Sequence, residues 1–302
     1  MCDVGGKVAF ITGGSSGIGL GIARVFLDAG MKIAFTYRTK SHLDTAMSRL
    51  ASTGGRVYPV NVDVTDRAAM QRAADEAIKV FGKVHVLVNN AGVVLPTPLS
   101  STTYDDWDWV MSVNVNGVFN GIRCFLPHIR AHGEGGHVIA TSSILGLFAA
   151  GGGQAAYCAS KFAVIGMMES LRGELVGTNI GVSLFCPGLV SSEIADSNRN
   201  RPDNLADTEP EFDAESKTRD ALMRRDPQLA LDPLDAARAV LQGMRNNDLY
   251  ILTHREYEQV LRDRSRALLD SLPANTSVPE RRADMARSIQ AGSIYVGRRT
   301  SC

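Results

Sequence analysis

Short runs that are apolar at nearly every position, separated by longer amphipathic stretches, constrain the fold of this chain more than any other feature. Val8–Thr12, Lys32–Thr36, Val57–Val60, Val86–Val88, Gly136–Thr141 and Gly181–Phe185 are rich in β-branched residues, and several lack the in–out alternation of a half-solvated strand. Strands of that kind are buried on both faces. Between them, Gly17–Ala29, Arg67–Phe81, Tyr104–Ala131 and Ala155–Val176 carry helical periodicity, and Asp235–Met244 leads to a last strand at Leu249–Thr253. The alternation predicts an α/β chain whose parallel sheet is covered by helices on both faces.

Two segments depart from it. Glu193 to Asp232 is polar and charged, with Pro202, Pro210 and Pro227, and reads as an insertion or lid. Glu256 to Ala291 has Arg and Leu at helical spacing and predicts one or two amphipathic helices. The expected organisation is a sheet domain over 1–253, lid 193–232 included, and a helical extension over 254–302.

Lys plus Arg equals Asp plus Glu at 32 each, so no basic face that would neutralise a nucleic-acid backbone is implied. No apolar run of about 18 residues predicts a membrane helix, and Val8 to Ile11 is too short for a secretory signal, so the cytoplasm is the expected location. The five cysteines, Cys2, Cys124, Cys158, Cys186 and Cys302, have no close pair and read as reduced thiols. Cys158 follows Tyr157 directly, but helical neighbours point about 100° apart, which favours packing. The six histidines show no metal-ligand spacing, and no metal is expected; His137 reads as opening a strand.

Directly after the first strand comes Thr12-Gly13-Gly14-Ser15-Ser16-Gly17-Ile18-Gly19, followed by a helix. Glycines at 13, 17 and 19 let the backbone turn sharply and approach a pyrophosphate, which sits at a helix N-terminus where free N–H groups and the macrodipole favour an anion. Without the flanking strand and helix, such a loop is equally a plain turn. Tyr37 and Arg38 end the second strand, where an NAD site usually offers a carboxylate to the adenosine ribose. None is present. Arg38 can pair with a 2′-phosphate, which favours NADP, with NAD or an ordinary solvated arginine as alternatives. Asp63-Val64 and Asn89-Asn90-Ala91-Gly92 follow the third and fourth strands, at carboxyl ends where open α/β sheets bind ligands.

Tyr157-Cys158-Ala159-Ser160-Lys161 puts Tyr157 and Lys161 on one helix face. A cation beside a phenol favours the phenolate and lowers its pKa towards the range useful for proton transfer. Alone, the pair fits an ordinary helix surface. Ser142 and Ser143 at the end of the preceding strand, and Asn114 in the long helix before it, give it company.

Together, Thr12 to Gly19, Asn89 to Gly92, Asn114, Ser143, Tyr157, Lys161 and Pro187-Gly188 resemble the short-chain dehydrogenase/reductase family over roughly residues 5 to 253. The resemblance implies a Rossmann-like, doubly wound seven-stranded parallel sheet with the nicotinamide at the strand ends. It implies Tyr157 as general acid/base, Lys161 holding the nicotinamide ribose and depressing the Tyr157 pKa, and Ser143 hydrogen-bonded to the reacting oxygen. Asn114 would tether a water linking Lys161 to solvent, and Ser142 would be structural. Gly13, Ser15, Ser16, Gly17, Ile18, Gly19, Tyr37, Arg38, Asp63, Val64, Asn90, Ala91 and Gly92 would line the dinucleotide with Tyr157 and Lys161. Pro187, Gly188, Val190 and Ser192 resemble the segment that holds the nicotinamide carboxamide. Ser143 precedes Tyr157 by 14 positions, one more than is usual, and the extra residue is assigned to Gly151-Gly152-Gly153.

More narrowly, Thr102 to Trp109, Ser192 to Ser197, Arg201-Pro202 and the long tail are similar to bacterial Cα-dehydrogenases of lignin β-aryl ether breakdown, which oxidise a benzylic secondary alcohol with NAD. An NADP enzyme would more naturally reduce a ketone, so the direction stays open. The length of the lid favours a bulky small-molecule substrate, with aromatic and steroid-like compounds as candidates. A reductase of carrier-bound β-ketoacyl groups is the alternative, resting on Arg199, Arg201, Arg224 and Arg225, and a non-enzymatic nucleotide sensor is disfavoured by intact Tyr157 and Lys161. Trp107 and Trp109 are expected to pack in the core or an interface. The resemblance implies a homodimer or homotetramer through the helices of Asn114 and Tyr157.

Overall fold

The computed structural model describes residues 1, 3–50, 56–149, 153–202, 205, 229–273, 279–291 and 294–295. Seven strands, β1 (Val8–Ile11), β2 (Lys32–Tyr37), β3 (Val57–Asn61), β4 (Val86–Asn89), β5 (Gly136–Thr141), β6 (Ile180–Cys186) and β7 (Tyr250–Leu252), form one parallel sheet ordered β3-β2-β1-β4-β5-β6-β7. β1, β4 and β5 are buried at every position, as their uninterrupted apolar runs require.

Two cores flank the sheet. On one face α1 (Gly17–Asp28), α2 (Lys40–Arg49) and α7 (Pro233–Asn246) bury Ile22, Phe26, Ala46 and Val240 against Ile11, Ile33 and Phe35. On the other, α3 (Arg67–Phe81), α4 (Tyr104–Met111), α5 (Gly117–Ala131) and α6 (Ala155–Glu174) pack Met70, Trp109, Phe125 and Met168 against Phe10 and Val138. α8 (Glu258–Asp270) and α9 (Glu280–Ala291) complete the helices of the described residues, and α8 has no buried residue. No helix among the described residues is long and apolar enough to cross a membrane.

The structure corrects the helix expectations in two places. α2 lies outside the predicted set, because a polar helix that buries Ala46 alone has almost no apolar stripe. The predicted Tyr104–Ala131 helix is interrupted by a π-helical turn, Ser112–Asn116. Such turns concentrate at functional sites, and this one carries Asn114. Cys124, Cys158 and Cys186 are buried and form no disulfide among the described residues. His137, inside β5 rather than at its start, is fully buried against Ser183 Oγ at 2.8 Å, and burial pushes its pKa down to about 3. The histidine spacing hid one cluster: His85 and His132 meet Glu134. It is not a ligand set in waiting, since the His85 nitrogens engage the Val8 N–H and Glu134, those of His132 engage Val84 O and the Glu134 N–H, and Lys7 and Lys83 pair with Glu134.

Of the expected lid, 203, 204 and 206–228 lie outside the described residues, Arg224 and Arg225 with them. Its first part is fixed. Glu193–Asn200 forms 3₁₀ turns, the buried Ser197 Oγ accepts from the Val94 N–H at 3.0 Å, and Val190 bridges to Leu231. Arg201 then drives its guanidinium, 6% exposed, onto Asp106 of α4 at 2.6 Å and over the Trp109 ring, 5.5 Å from the centroid, while its Nε donates to Leu205 O. Burial opposes ionisation of Asp106, but the Thr103 capping box and Arg201 outweigh it and hold its carboxyl below the usual range. Trp109 is therefore core, as expected, with Trp107 packed beside it.

Removing one member of a buried ion pair strands the other. Arg201→Met is expected to lower unfolding free energy by about 3 kcal/mol at pH 7 in urea titrations. A depressed carboxyl pKa contributes stability above it and loses that contribution as pH falls through it, so the deficit should narrow at acid pH. An equal deficit at all pH would contradict this.

Candidate active site

The cleft opens where the sheet reverses its order, between β1 and β4, at the carboxyl ends of the strands. Thr12, at the end of β1, ties the two strands there: its Oγ1 accepts from the Asn90 and Ala91 N–H groups at 2.9 and 3.1 Å, and Asn90 Nδ2 donates to Thr12 O. A volume of about 700 Å³ runs from there over the glycine loop in one direction and over Tyr157 in the other.

The loop fits an anionic dinucleotide. Gly17 has φ +48°, and a Cβ on Gly19 would stand 2.2 Å from Gly13 O, so the turn needs glycine at both. α1 begins with no side-chain cap from Ser16 and no acidic residue in its first turn, leaving its N–H groups and dipole to an anion. Gly13, Ser15, Ser16, Gly17, Ile18, Tyr37, Arg38, Asp63, Val64, Asn90, Ala91, Gly92, Pro187, Gly188, Val190 and Ser192 all line the cleft, as do Ser143, Tyr157 and Lys161. Gly19 and Asn114 do not. Gly19 packs behind the loop against Gly13 and Asn90. At the far end Arg38 stands 3.4 Å from Asp63 and donates to Asn200 O, its side chain 43% exposed.

α6 presents Tyr157 and Lys161 to the floor of the cleft. Lys161 Nζ donates to Thr141 O at 3.0 Å and lies 5.4 Å from the centroid of the Tyr157 ring, which is hydrogen-bonded to Ser143. Ser143 Oγ also accepts from the Leu145 N–H, capping the turn Ile144–Gly146. Ser142 Oγ donates to Lys161 O, the structural hydroxyl expected. Asn114, on its π turn, is held by both amide donors, to Val93 O and Ser160 Oγ, and accepts from the Val93 N–H. Its Oδ1 and Lys161 Nζ flank Gly92, where an added Cβ would stand 3.3 and 3.4 Å from them. Gly151 and Gly152, assigned the extra residue between Ser143 and Tyr157, lie outside the described residues, yet Ser143 reaches Tyr157.

Burial pushes the Tyr157 phenol up to about 12, only partly offset by Ser143, and pushes the Lys161 ammonium down to about 8. Both groups are buried, and burial disfavours the charged form of each. The sequence missed what closes the cleft. Thr141 contributes a carbonyl, which leaves no mark on residue type. Phe148, His254 and Tyr257 carry no motif, and the last two come from the predicted extension.

The family model described as short chain dehydrogenase matches residues 7–203. The C alpha-dehydrogenase of Sphingobium sp. (strain NBRC 103272 / SYK-6) is 38% identical over 281 residues, 93% of this chain and 91% of that protein. A short-chain dehydrogenase/reductase from Burkholderia phymatum in complex with NAD superposes with TM-score 0.83 at 33% identity, covering 92% of this chain and all of that one. One from Burkholderia cenocepacia J2315 in complex with NADP gives TM-score 0.68 at 28% identity, covering 83% and 96%. With the strand order, the glycine loop and the tyrosine–lysine floor already in place, these likenesses make the chain a member of the short chain dehydrogenase family, an NAD(P)-dependent oxidoreductase.

Proposed function

We propose that the protein moves a hydride between NADP(H) and a bulky, aromatic secondary alcohol or its ketone, with Tyr157 as general acid/base. The observation that carries this reading is the Tyr157 phenol on the cleft floor, hydrogen-bonded to Ser143 and backed by Lys161. When bound, the dinucleotide supplies or takes up the hydride at its nicotinamide. In reduction Tyr157 donates its proton to the carbonyl oxygen, and in oxidation it takes the alcohol proton. Ser143 Oγ hydrogen-bonds the same oxygen as charge develops on it. Lys161 holds the nicotinamide ribose hydroxyls. Asn114 holds the Val93 backbone and Ser160 in place behind it.

Arg38 favours NADP. It has the planar fork that suits a phosphate, at the end of a strand that offers no carboxylate of its own. A 2′-phosphate would take over the donors now engaged by Asn200 O and Asp63. The aromatic substrate rests on the size of the cleft, the Phe148 and Tyr257 rings in its wall, and the C alpha-dehydrogenase relative. The carrier-bound alternative weakens, because Arg199 pairs with Glu193 and Arg201 is buried on Asp106.

Tyr157→Phe is expected to retain NADPH binding, followed by fluorescence, and to lower kcat/KM at least a hundredfold on every aryl ketone tested. Retained turnover would remove the assignment. Arg38→Asp should shift the NADPH-to-NADH affinity ratio towards NADH by tenfold or more, and equal affinities in the parent protein would refute the cofactor preference. Because burial holds free Lys161 near 8 and an anionic cofactor favours its charged form, NADPH affinity should be flat below that pH and weaken above it. Titration calorimetry across pH 6 to 10 should show that limb and its disappearance in Lys161→Met.

A further inference from the structure

The first turn after β7 is built into the cleft. His254 Nδ1 accepts from the Gly188 N–H at 3.2 Å and its Nε2 donates to Leu189 O at 3.1 Å, so the imidazole ties this turn to the segment between β6 and the strap formed by Glu193–Asn200. A Cβ on Gly188 would meet the His254 and Tyr257 rings at 2.7 and 2.8 Å, which shows how closely the turn is seated. Tyr257 faces Phe148 across 5.8 Å between ring centroids. Glu256, between these two anchors, is exposed and lines the same cleft.

Among the described residues the other charged side chains of the cleft have polar partners. Arg38 stands against Asp63, and His42 and Arg199 both reach Glu193. Lys161 is held by Thr141 O on the floor. All of these belong to the floor, or to the nucleotide end and the strap across it. Glu256 has no hydrogen-bond or ion-pair partner among the described residues, and its neighbour Arg255 turns to Glu258 at 3.6 Å. Among the described residues that line the cleft with Leu145, Phe148, Leu189 and Tyr257, Glu256 is therefore the charge without a partner, a carboxylate that only accepts hydrogen bonds.

We propose that Glu256 is a specificity-determining residue: it accepts a hydrogen bond from a hydroxyl on the substrate, remote from the reacting carbon, and rejects substrates that carry an anion at that position. The inference rests on the reading of Tyr157 as the proton donor to an aryl ketone. A hydroxyl whose donor meets a carboxylate gains a charge-assisted bond, whereas a carboxylate brought to the same mouth meets repulsion from Glu256. The same charge disfavours a substrate delivered on a phosphorylated carrier. An apolar slot with one acceptor at its mouth selects a neutral, hydroxylated aromatic compound.

The test is kcat/KM for three aryl ketones that differ only in a ring substituent remote from the carbonyl: hydroxyl, methoxy or carboxylate. The parent protein is expected to favour hydroxyl over methoxy about tenfold and to use the carboxylate least. Glu256→Leu should bring the hydroxyl and methoxy ketones to within about twofold, and Glu256→Arg should make the carboxylate the preferred member. Each readout is a ratio within one protein, so a general loss of activity does not imitate it. Ratios unchanged in both variants would overturn the role of Glu256 while leaving Tyr157 in place. Failure of the parent protein to reduce any of the three with either cofactor would overturn the aryl-ketone reading and this inference with it.

Discussion

The junction at Thr12 is the constraint on which the rest of the molecule depends. A parallel sheet that grows from β1 in both directions must part the loops that leave β1 and β4, and a crevice opens there whatever the side chains are. Thr12 Oγ1 takes the Asn90 and Ala91 N–H groups that this parting would leave unpaired, and Asn90 Nδ2 returns to Thr12 O. The floor is thereby fixed on one side of the crevice and the glycine loop on the other. Gly13 and Gly14 donate to Thr36, so the loop is also referred to β2. A rigid frame of backbone atoms is in place before any cofactor arrives.

On that frame sits an unfavourable charge. Lys161 is 3% exposed, with one carbonyl partner at 3.0 Å, and its pKa falls accordingly. Tyr157 beside it rises for the same reason, since an apolar wall penalises a phenolate as it does an ammonium. The protein alone therefore holds its acid and its cation each displaced towards neutrality. An anionic dinucleotide in the cleft would favour the ammonium, and a charged Lys161 next to the ring would favour the phenolate. On the proposed reading of Tyr157, cofactor occupancy would then be coupled to proton transfer through the electrostatics of the cleft.

Legibility in the sequence followed the local or non-local origin of each feature. Gly136–Thr141 and Arg67–Phe81 are read to the residue, because the strand centres on the apolar run Val138–Ala140 and the helix is bracketed by the Asp66 cap and by Gly82 at φ +82°. Tyr157 and Lys161 are visible through one helical turn of spacing, and the glycine loop through its place between strand and helix. The π turn at Ser112–Asn116 is invisible, because Asn114 is pulled into place by Val93 and Ser160, which are distant in sequence. Asp106 and Arg201 each look like solvated charges until the fold brings them into one buried pair. The depth of burial of Tyr157 is invisible for a related reason: spacing reports the neighbouring cation but not the wall around the pair.

The two walls that face a substrate share a design that differs from the floor. The strap Glu193–Asn200 is held by Ser197 on Val94 and is followed by Arg201 on Asp106, and the turn Arg255–Tyr257 is held by His254 on Gly188 and Leu189. None of these anchors is hydrogen-bonded to Tyr157 or Ser143 among the described residues. Residues between anchors can therefore change without disturbing the reacting geometry, whereas a change in an anchor moves a whole wall. Strap and turn also come from opposite sides of α7 in the chain, so the cleft closes only when the sheet has placed β6 and β7 side by side. The walls can therefore differ between proteins that share the dehydrogenase floor, which is one way a single fold serves many substrates.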